Sequence, residues 1–305
     1  QTIFLCVFII AIILGIVSLV KIHNFKDYRK MYKQILTESN VYMQEKANGT
    51  QAMKDNSLKQ IQLDTKYTSN KTGFAYFHDL FVKRHKKILT EAVKKQSVVI
   101  LLIIIAMIVG ITMNNDFKVK TNQILLVYLP YFVFVMYCIN RSSSVTQAMF
   151  MNCDHSMLTY RIYRTPKVIL GIFKERLKTL ITINLLPAFL IGGGLALLLY
   201  LSGGTDNPIN YAILFVSIIA MSIFFSVHYL VMYYLLQPYN VSTEMKSSTY
   251  KVVQAITYIV CWYMIQIQMP IFTFGIATIV FCIAYCLISL FIAYKYAPKT
   301  FKLRV

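Results

Sequence analysis

Cys153, Asp154 and His155 stand side by side and offer a thiol, a carboxylate and an imidazole. These groups bind metal ions and carry acid–base or nucleophilic catalysis. Such sites usually draw their groups from spaced positions, because sequence neighbours do not converge well on one point. Four other histidines occur, and none repeats a ligand spacing: His23, His78, His85 and His228. The sequence therefore predicts no catalytic and no metal-binding residue, and Asp154 is interpreted as an N-terminal helix cap.

The composition indicates a membrane protein. Of the 305 residues, 57% are hydrophobic and only 14% are charged, against about a quarter charged in soluble domains. Seven uncharged runs are long enough, or nearly so, to cross ~30 Å of hydrocarbon as helices. They lie near 1–20, 97–113, 122–139, 179–202, 209–236, 252–268 and 271–294. The expected fold class is an all-α polytopic membrane protein with seven transmembrane helices.

The basic residues predict how these helices are oriented, since Lys and Arg concentrate in cytoplasmic loops. Of the 31 basic residues, 29 fall in 21–96, 140–178, 237–251 and the C-terminal tail, and the other loops hold only Lys118 and Lys120. Those four segments, with the C terminus, are expected in the cytoplasm. The net charge of +19 is interpreted as topology plus attraction to anionic membrane lipids, and not as nucleic-acid binding.

The segment 73–96 is expected to form an amphipathic helix that lies at the membrane surface and leads into the second run. Phe74, Phe77 and Phe81 recur on its apolar side, and Arg84 belongs to the basic side. A soluble helix packed on a partner is the alternative interpretation.

The loop 140–178 is expected to hold two helices separated by a break. Thr165 and Pro166 are typical of a helix start, because Thr caps free amides and Pro is favoured at the first helical position. The helix that they begin should run on into the fourth uncharged run. Before it, 154–164 is expected to form a separate short helix.

Two stretches, GFAYFHDLFVKRHKKIL and NCDHSMLTYRIYRTPKVILGIFKERLKTLITINLLPA, together with the order of the elements, resemble an ABC-2 type transporter permease. The resemblance is closest to the ABC exporter permeases of low-GC Gram-positive bacteria, which are single chains with two membrane halves. It implies that 1–20 is the last span of an upstream first half and that 21–72 is a cytoplasmic linker. Residues 73–96 would then be the connecting helix, and 97–305 the second six-span half.

The resemblance also implies the function: a permease subunit of an ATP-driven exporter in the bacterial cell membrane. The 305 residues contain no G-x-x-x-x-G-K-[ST] loop to cradle ATP phosphates, so a separate ABC ATPase subunit would bind ATP, and no cofactor is expected in this chain. The second membrane half would come from the same chain or from a homodimer. Coupling to the ATPase would use Asp154, Met157, Leu158, Tyr160, Arg161, Arg164, Thr165 and Pro166. The connecting helix would use Phe74, Phe77, Phe81 and Arg84.

The alternatives are a membrane-embedded enzyme, and a secondary transporter or non-transporting scaffold. The enzyme and a proton-coupled transporter would need ionisable groups inside the spans, where such groups mark ion and proton pathways. Within the uncharged runs only His228 qualifies, and it is interpreted as a hydrogen-bond partner of a neighbouring helix or as a residue near the cytoplasmic interface.

Overall fold

The computed structural model describes residues 69–239 and 247–303, preceded by a helix over 30–41 and a few earlier positions. Most of the expected first span at 1–20 and most of the linker at 21–72 lie outside the described residues.

The chain divides into two compact units, Gln1–Lys59 and Gln60–Val305. The second unit contains every feature discussed below. Its described residues form helices joined by turns, and the only β-type pairing among them is an isolated bridge between Tyr128 and Met269. The prediction of an all-α fold is confirmed for this part of the chain.

Nine helices of eight or more residues build the described part of the second unit. They are α1 (Gly73–Arg84), α2 (Lys86–Met113), α3 (Asn115–Val127), α4 (Tyr131–Ile139), α5 (Ser142–Met149), α6 (Pro166–Ser202), α7 (Ile209–Leu236), α8 (Ser248–Met264) and α9 (Ile271–Thr300). Between α5 and α6, the loop 150–164 consists of a π-helical turn (Phe150–Asp154), one α-helical turn (His155–Met157) and a 3-10 turn (Arg161–Arg164).

Four helices are long and apolar enough to cross a membrane, among the residues that the structure describes. They are Leu89–Met113 within α2, and the whole of α6, α7 and α9. Four of the seven expected spans are therefore found as candidate membrane helices. The expected run at 252–268 corresponds to α8, which has 17 residues and ends at Met264.

The expected span at 122–139 is wrong as a single helix. The helix α3 ends at Val127, and α4 begins at Tyr131 with Pro130 as its N-cap residue. Proline has no amide hydrogen and its ring clashes with the preceding turn of a helix, so a continuous helix through Pro130 is disfavoured.

The expected helix over 73–96 is also two helices. His85 separates α1 from α2, and its ring stacks on Phe81 with the centroids 4.3 Å apart. Phe81 is buried, and Phe74 lies against the backbone of Gly171 in α6. The apolar side of α1 therefore packs on α6 within the same chain.

The apolar side chains form two cores, one at each end of the bundle. Phe81, Leu158, Phe173 and Tyr234 belong to the first core, where α1, with Lys83 and Arg84 at its end, meets the start of α6. We call this the basic end. The second core, at the opposite end, joins the later half of α2 and the end of α6 to α3, α4 and the start of α7.

The helices α4 and α5 together carry the chain from the opposite end to the basic end. Met136 of α4 belongs to the second core, whereas Met149 of α5 belongs to the first. Between the two helices, the amide of Arg141 donates to Oδ1 of Asn184 at 3.1 Å, and the guanidinium of Arg141 donates to Gln96 at 3.0 Å. The backbone amide that is left free at the break between α4 and α5 thus finds a hydrogen-bond acceptor in a side chain inside the bundle.

Small residues let the helices approach closely. A Cβ atom at Gly194 would overlap Ile104 of α2, while one at Gly193 would meet nothing within 4 Å. Between α9 and α7 the contact is tighter, because a Cβ at Gly275 would overlap the Cγ2 methyl of Ile213. That methyl is bonded directly to Cβ, so rotation about χ2 cannot move it away.

We predict that Gly275→Ala lowers the thermal stability of the purified protein in detergent, by about 1–3 kcal/mol for overpacking. The matched control is Gly193→Ala, which should be neutral or stabilising because alanine favours helices by ~1 kcal/mol over glycine. Equal unfolding midpoints for the two variants would contradict the close packing of α7 and α9.

Candidate functional site: a buried ion pair behind the loop 150–164

Asp154 and Arg176 form an ion pair inside the protein. Each residue is only 2% exposed. The guanidinium of Arg176 is bidentate: Nη1 donates to Oδ2 of Asp154 at 2.6 Å, and Nη2 donates to Oδ1. Two parallel hydrogen bonds of this kind fix both distance and orientation. The pair therefore joins the last residue of the π-helical turn to the first third of α6.

Two tyrosines of α7 complete the arrangement. The hydroxyl of Tyr233 donates to Oδ2 of Asp154, and Nη1 of Arg176 donates to the hydroxyl of Tyr234 at 3.0 Å. The carboxylate thus accepts three hydrogen bonds, which offsets much of the cost of burying its charge.

The end of α9 closes the same site. Phe301 stacks on the ring of Tyr234 with the centroids 4.2 Å apart, and the hydroxyl of Thr300 donates to the carbonyl of Tyr234 at 3.0 Å. Four parts of the chain therefore meet at the ion pair: the loop 150–164, α6, α7 and the end of α9. A shift of Asp154 would therefore alter contacts of Arg176 in α6 and Tyr233 in α7 directly, and contacts of the end of α9 through Tyr234.

Arg176 is the functional residue that sequence reasoning missed. It follows Ile172 and Phe173 by four and three residues and precedes Leu180 by four, so helical spacing places it on the apolar face of α6. A charged residue on an apolar helix face is rarely buried unless it is paired. That spacing is the signal that could have revealed the site.

Cys153, Asp154 and His155 do not converge on one point. Asp154 binds Arg176, the thiol of Cys153 lies 3.1 Å from Sδ of Met157, and the ring of His155 packs edge-on against Phe150. Burial raises the pKa of the Cys153 thiol to about 12, so the thiol stays protonated and is a poor nucleophile at neutral pH. Within the described ranges no three His, Cys, Asp or Glu residues cluster as metal ligands would.

Three predictions about this loop are wrong. Asp154 was expected to cap a helix, but its side chain makes no capping hydrogen bond and pairs with Arg176 instead. Leu158 was expected to contact a partner, but it is 2% exposed and belongs to the first core. The segment 154–164 is also not one helix, because the α-helical turn ends at Met157.

The remaining predicted residues lie nearer the surface. Tyr160 is 64% exposed, and Arg161, Thr165 and Pro166 are exposed as well. Met157 is half-buried against the first core, and the side chain of Arg164 lies outside the described part. As predicted, α6 begins at Pro166 with Thr165 at the N-cap position, but the Thr165 side chain makes no capping hydrogen bond. The exposed tip of the loop is therefore Tyr160 and Arg161.

His228 makes the helix-to-helix hydrogen bonds that were predicted for it. Its Nδ1 lies 2.6 Å from the hydroxyl of Tyr285 in α9, and its Nε2 lies 3.1 Å from the hydroxyl of Thr257 in α8. Thr257 donates its only hydroxyl proton to the carbonyl of Val253. Its oxygen therefore accepts from the Nε2 hydrogen of a neutral imidazole, and Nδ1 accepts from Tyr285.

Asn184, the middle residue of α6, is a second polar group that the sequence did not single out. Its amide donates to the hydroxyls of Ser142 at 2.9 Å and Ser226 at 3.0 Å, and its Oδ1 accepts from the backbone of Arg141. The amide group is thereby satisfied on both sides. It connects the start of α5 to α6 and α7 at some distance from the ion pair.

No family model matches this chain, no curated protein matches it, and no solved structure matches it. The resemblance to ABC-2 permeases therefore stays a prediction, and the function has to be argued from the geometry of the bundle and of the loop 150–164.

We predict that Arg176→Met destabilises the protein by about 3–5 kcal/mol, because it leaves the carboxylate of Asp154 buried without its partner. The double variant Asp154→Leu/Arg176→Met should recover much of that loss, since no unpaired charge then remains. Thermal unfolding in detergent measures both effects.

The matched control is Lys174→Met, which removes one exposed positive charge from the same helix. It should leave the unfolding midpoint nearly unchanged. Two results would contradict a stabilising role of the ion pair at the basic end. In the first, Arg176→Met lowers the unfolding midpoint no more than Lys174→Met does. In the second, the double variant Asp154→Leu/Arg176→Met unfolds at a lower temperature than Arg176→Met alone.

Proposed function

We propose that the protein is the membrane-spanning permease subunit of an ATP-driven exporter of the ABC-2 type, in the bacterial cell membrane. The observation that carries the proposal is the loop 150–164, which is fastened inside by Asp154 and presents Tyr160 at its tip. An ABC ATPase subunit, which binds and hydrolyses ATP, would press on that tip. The second membrane half would come from another part of the same chain or from a second copy.

The ion pair suits a transmission element. A push on the tip moves the short turns of the loop, and Asp154 passes the movement to Arg176 of α6 and Tyr233 of α7 through direct hydrogen bonds. The break at Thr165 and Pro166 lets the loop move at an angle to α6. Packed helices shift between discrete arrangements and do not deform continuously. A rigid connection at the ion pair would therefore convert closure of the ATPase into a movement of two spans.

We propose six crossings in the second unit: α2, α4 with α5, α6, α7, α8 and α9. The four candidate spans supply α2, α6, α7 and α9, and the passage of α4 and α5 between the two cores supports the second crossing. At the opposite end, Asn122 donates to the carbonyl of Gly204, and the amide of Met269 donates to the carbonyl of Val127. These bonds join α3 to the turn between α6 and α7 and to the turn between α8 and α9. All three segments therefore lie at the end of the bundle opposite the basic end.

We predict that the basic end and the C terminus face the cytoplasm, because Lys and Arg are retained on that side. Cysteines introduced at Asn115 and Asp206, both exposed at the opposite end, should react with an impermeant thiol reagent in intact cells. A cysteine at Tyr160 should react only after the membrane is opened. The reversed pattern would invert the orientation and remove Tyr160 from reach of a cytoplasmic ATPase.

We predict that Tyr160→Ala combined with Arg161→Glu reduces copurification of an ATP-binding subunit with the tagged full chain from native membranes. Loss of such an aromatic or basic interface residue typically costs ~2 kcal/mol or more, roughly a thirtyfold loss of affinity. Quantitative mass spectrometry of the purified complex and ATP-dependent transport in membrane vesicles measure the effect.

The matched control is Tyr200→Ala, which truncates an equally exposed tyrosine at the far end of α6. It should leave the complex intact. An unaltered complex for the Tyr160 and Arg161 variant would move the contact elsewhere, and transport that runs on an ion gradient without ATP would indicate a secondary transporter.

A further inference from the structure

A cavity of about 620 Å³ opens at the basic end between α1, the start of α2 and α6. It is separate from the ion pair, which lies on the inner side of α6. Four lysines line it, one before α1 and one each from α1, α2 and α6: Lys71, Lys83, Lys86 and Lys178. His78 of α1 also lines the cavity.

The cavity carries more positive than negative charge. Among the residues that the structure describes, two carboxylates line it: Asp79, which pairs with Lys71 at 3.1 Å and Lys83 at 3.0 Å, and Glu175, which pairs with Lys178 at 3.1 Å. Lys86 has no carboxylate partner among the described residues. The four lysines therefore exceed the two carboxylates by two positive charges.

The buried histidine adds no charge. Its Nε2 lies 2.8 Å from the hydroxyl of Thr179, and burial lowers the pKa of His78 to about 4. At neutral pH the imidazole is uncharged, and it holds α1 against α6 as a hydrogen-bonded contact. The excess positive charge comes from the lysines at the mouth.

The walls of the cavity are apolar towards the bundle. Val82, Leu89 and Ile183 line it there, from α1, α2 and α6. Lys178 is the last charged residue of α6, and no charged residue follows it as far as Ser202. The cavity thus spans the boundary between the charged and the uncharged part of α6. In a helix that enters a bilayer, this boundary lies at the depth of the lipid headgroups.

We infer that this cavity binds the phosphate headgroup of an anionic phospholipid. The phosphate lies between Lys86 and Lys178, and the start of an acyl chain runs along Leu89 and Ile183. Basic pockets between membrane helices suit such headgroups, because the lysine ammonium groups neutralise the phosphate while the lipid tail stays in hydrocarbon. A free phosphate would meet the same ammonium groups but would leave the apolar wall uncovered.

The experiment places the full chain in nanodiscs of phosphatidylcholine, with or without a fifth of phosphatidylglycerol, and counts retained phosphatidylglycerol by native mass spectrometry. The wild-type chain should retain it. Lys86→Gln with Lys178→Gln should weaken retention by roughly thirtyfold, because these two ammonium groups are the ones that would contact the phosphate inside the cavity. Thr182→Trp, which fills the cavity from its exposed rim without changing charge, should do the same.

The matched control is Lys95→Gln with Lys174→Gln, which removes the same charge from the same two helices outside the cavity. Its retention should equal that of the wild-type chain. Equal loss in both double variants, or full retention in the Thr182 variant, would show non-specific surface attraction and overturn the site.

A second arm distinguishes a lipid from a free anion. Millimolar inorganic phosphate or glycerol 1-phosphate should fail to displace the retained lipid, because neither covers the apolar wall. Displacement by inorganic phosphate at these concentrations would overturn the lipid assignment in favour of a soluble phosphate site. Neither arm depends on an ATPase partner, so failure here and failure of the proposed transport function are separable.

Discussion

The ion pair of Asp154 and Arg176 is the interaction on which the basic end of the bundle depends. Removing two charges from water is costly, and their attraction offsets that cost only if geometry and hydrogen bonding are good. Here the carboxylate receives two guanidinium hydrogen bonds and one from Tyr233. The loop cannot slip by one residue without leaving a charge unpaired in the core. The pair therefore sets a unique position for the loop 150–164, whatever its net contribution to stability.

The character of the loop follows from that constraint. A π-helical turn inserts one residue more per turn than an α-helix, and such turns are frequent at functional sites. In this chain the turn ends at Asp154, so the carboxylate reaches Arg176 while Leu158 enters the first core a turn later. Tyr160 and Arg161 are then left outside. The buried start and the exposed tip therefore belong to one short segment, as the proposed coupling role would require.

The sequence predicted four of the seven expected spans as long apolar helices, because uncharged runs and the need to bury backbone polar groups leave few alternatives. The run at 209–236 coincides with α7, and Pro166 opens α6 as its position suggested. Prediction failed at the break between α4 and α5, where the amide of Arg141 donates to Asn184, more than forty residues away. The break between α3 and α4 is different, because Pro130 is a local signal within the run 122–139 itself.

The dependence on tertiary packing also explains which residues of the site the sequence could not predict. Leu158 and Tyr160 are both apolar enough to act as interface residues, and only the tertiary packing shows that one is buried and the other exposed. Arg176 was indistinguishable by composition from the neighbouring basic residues of the loop. Its spacing relative to Phe173 and Leu180 separates it from them, because that spacing puts a positive charge where only a paired charge is tolerated.

One turn of α6 serves both the ion pair and the cavity. Successive residues of an α-helix point about 100° apart, so Arg176 faces the core while Glu175, Lys178 and Thr179 face α1 across the cavity. His78 of α1 holds Thr179 at 2.8 Å. If the cavity binds a lipid headgroup and the loop 150–164 binds a partner, as proposed, the two would act on opposite sides of the same turn. Rotation of α6 about its axis would then change both contacts together and couple the occupancy of the cavity to the position of the loop.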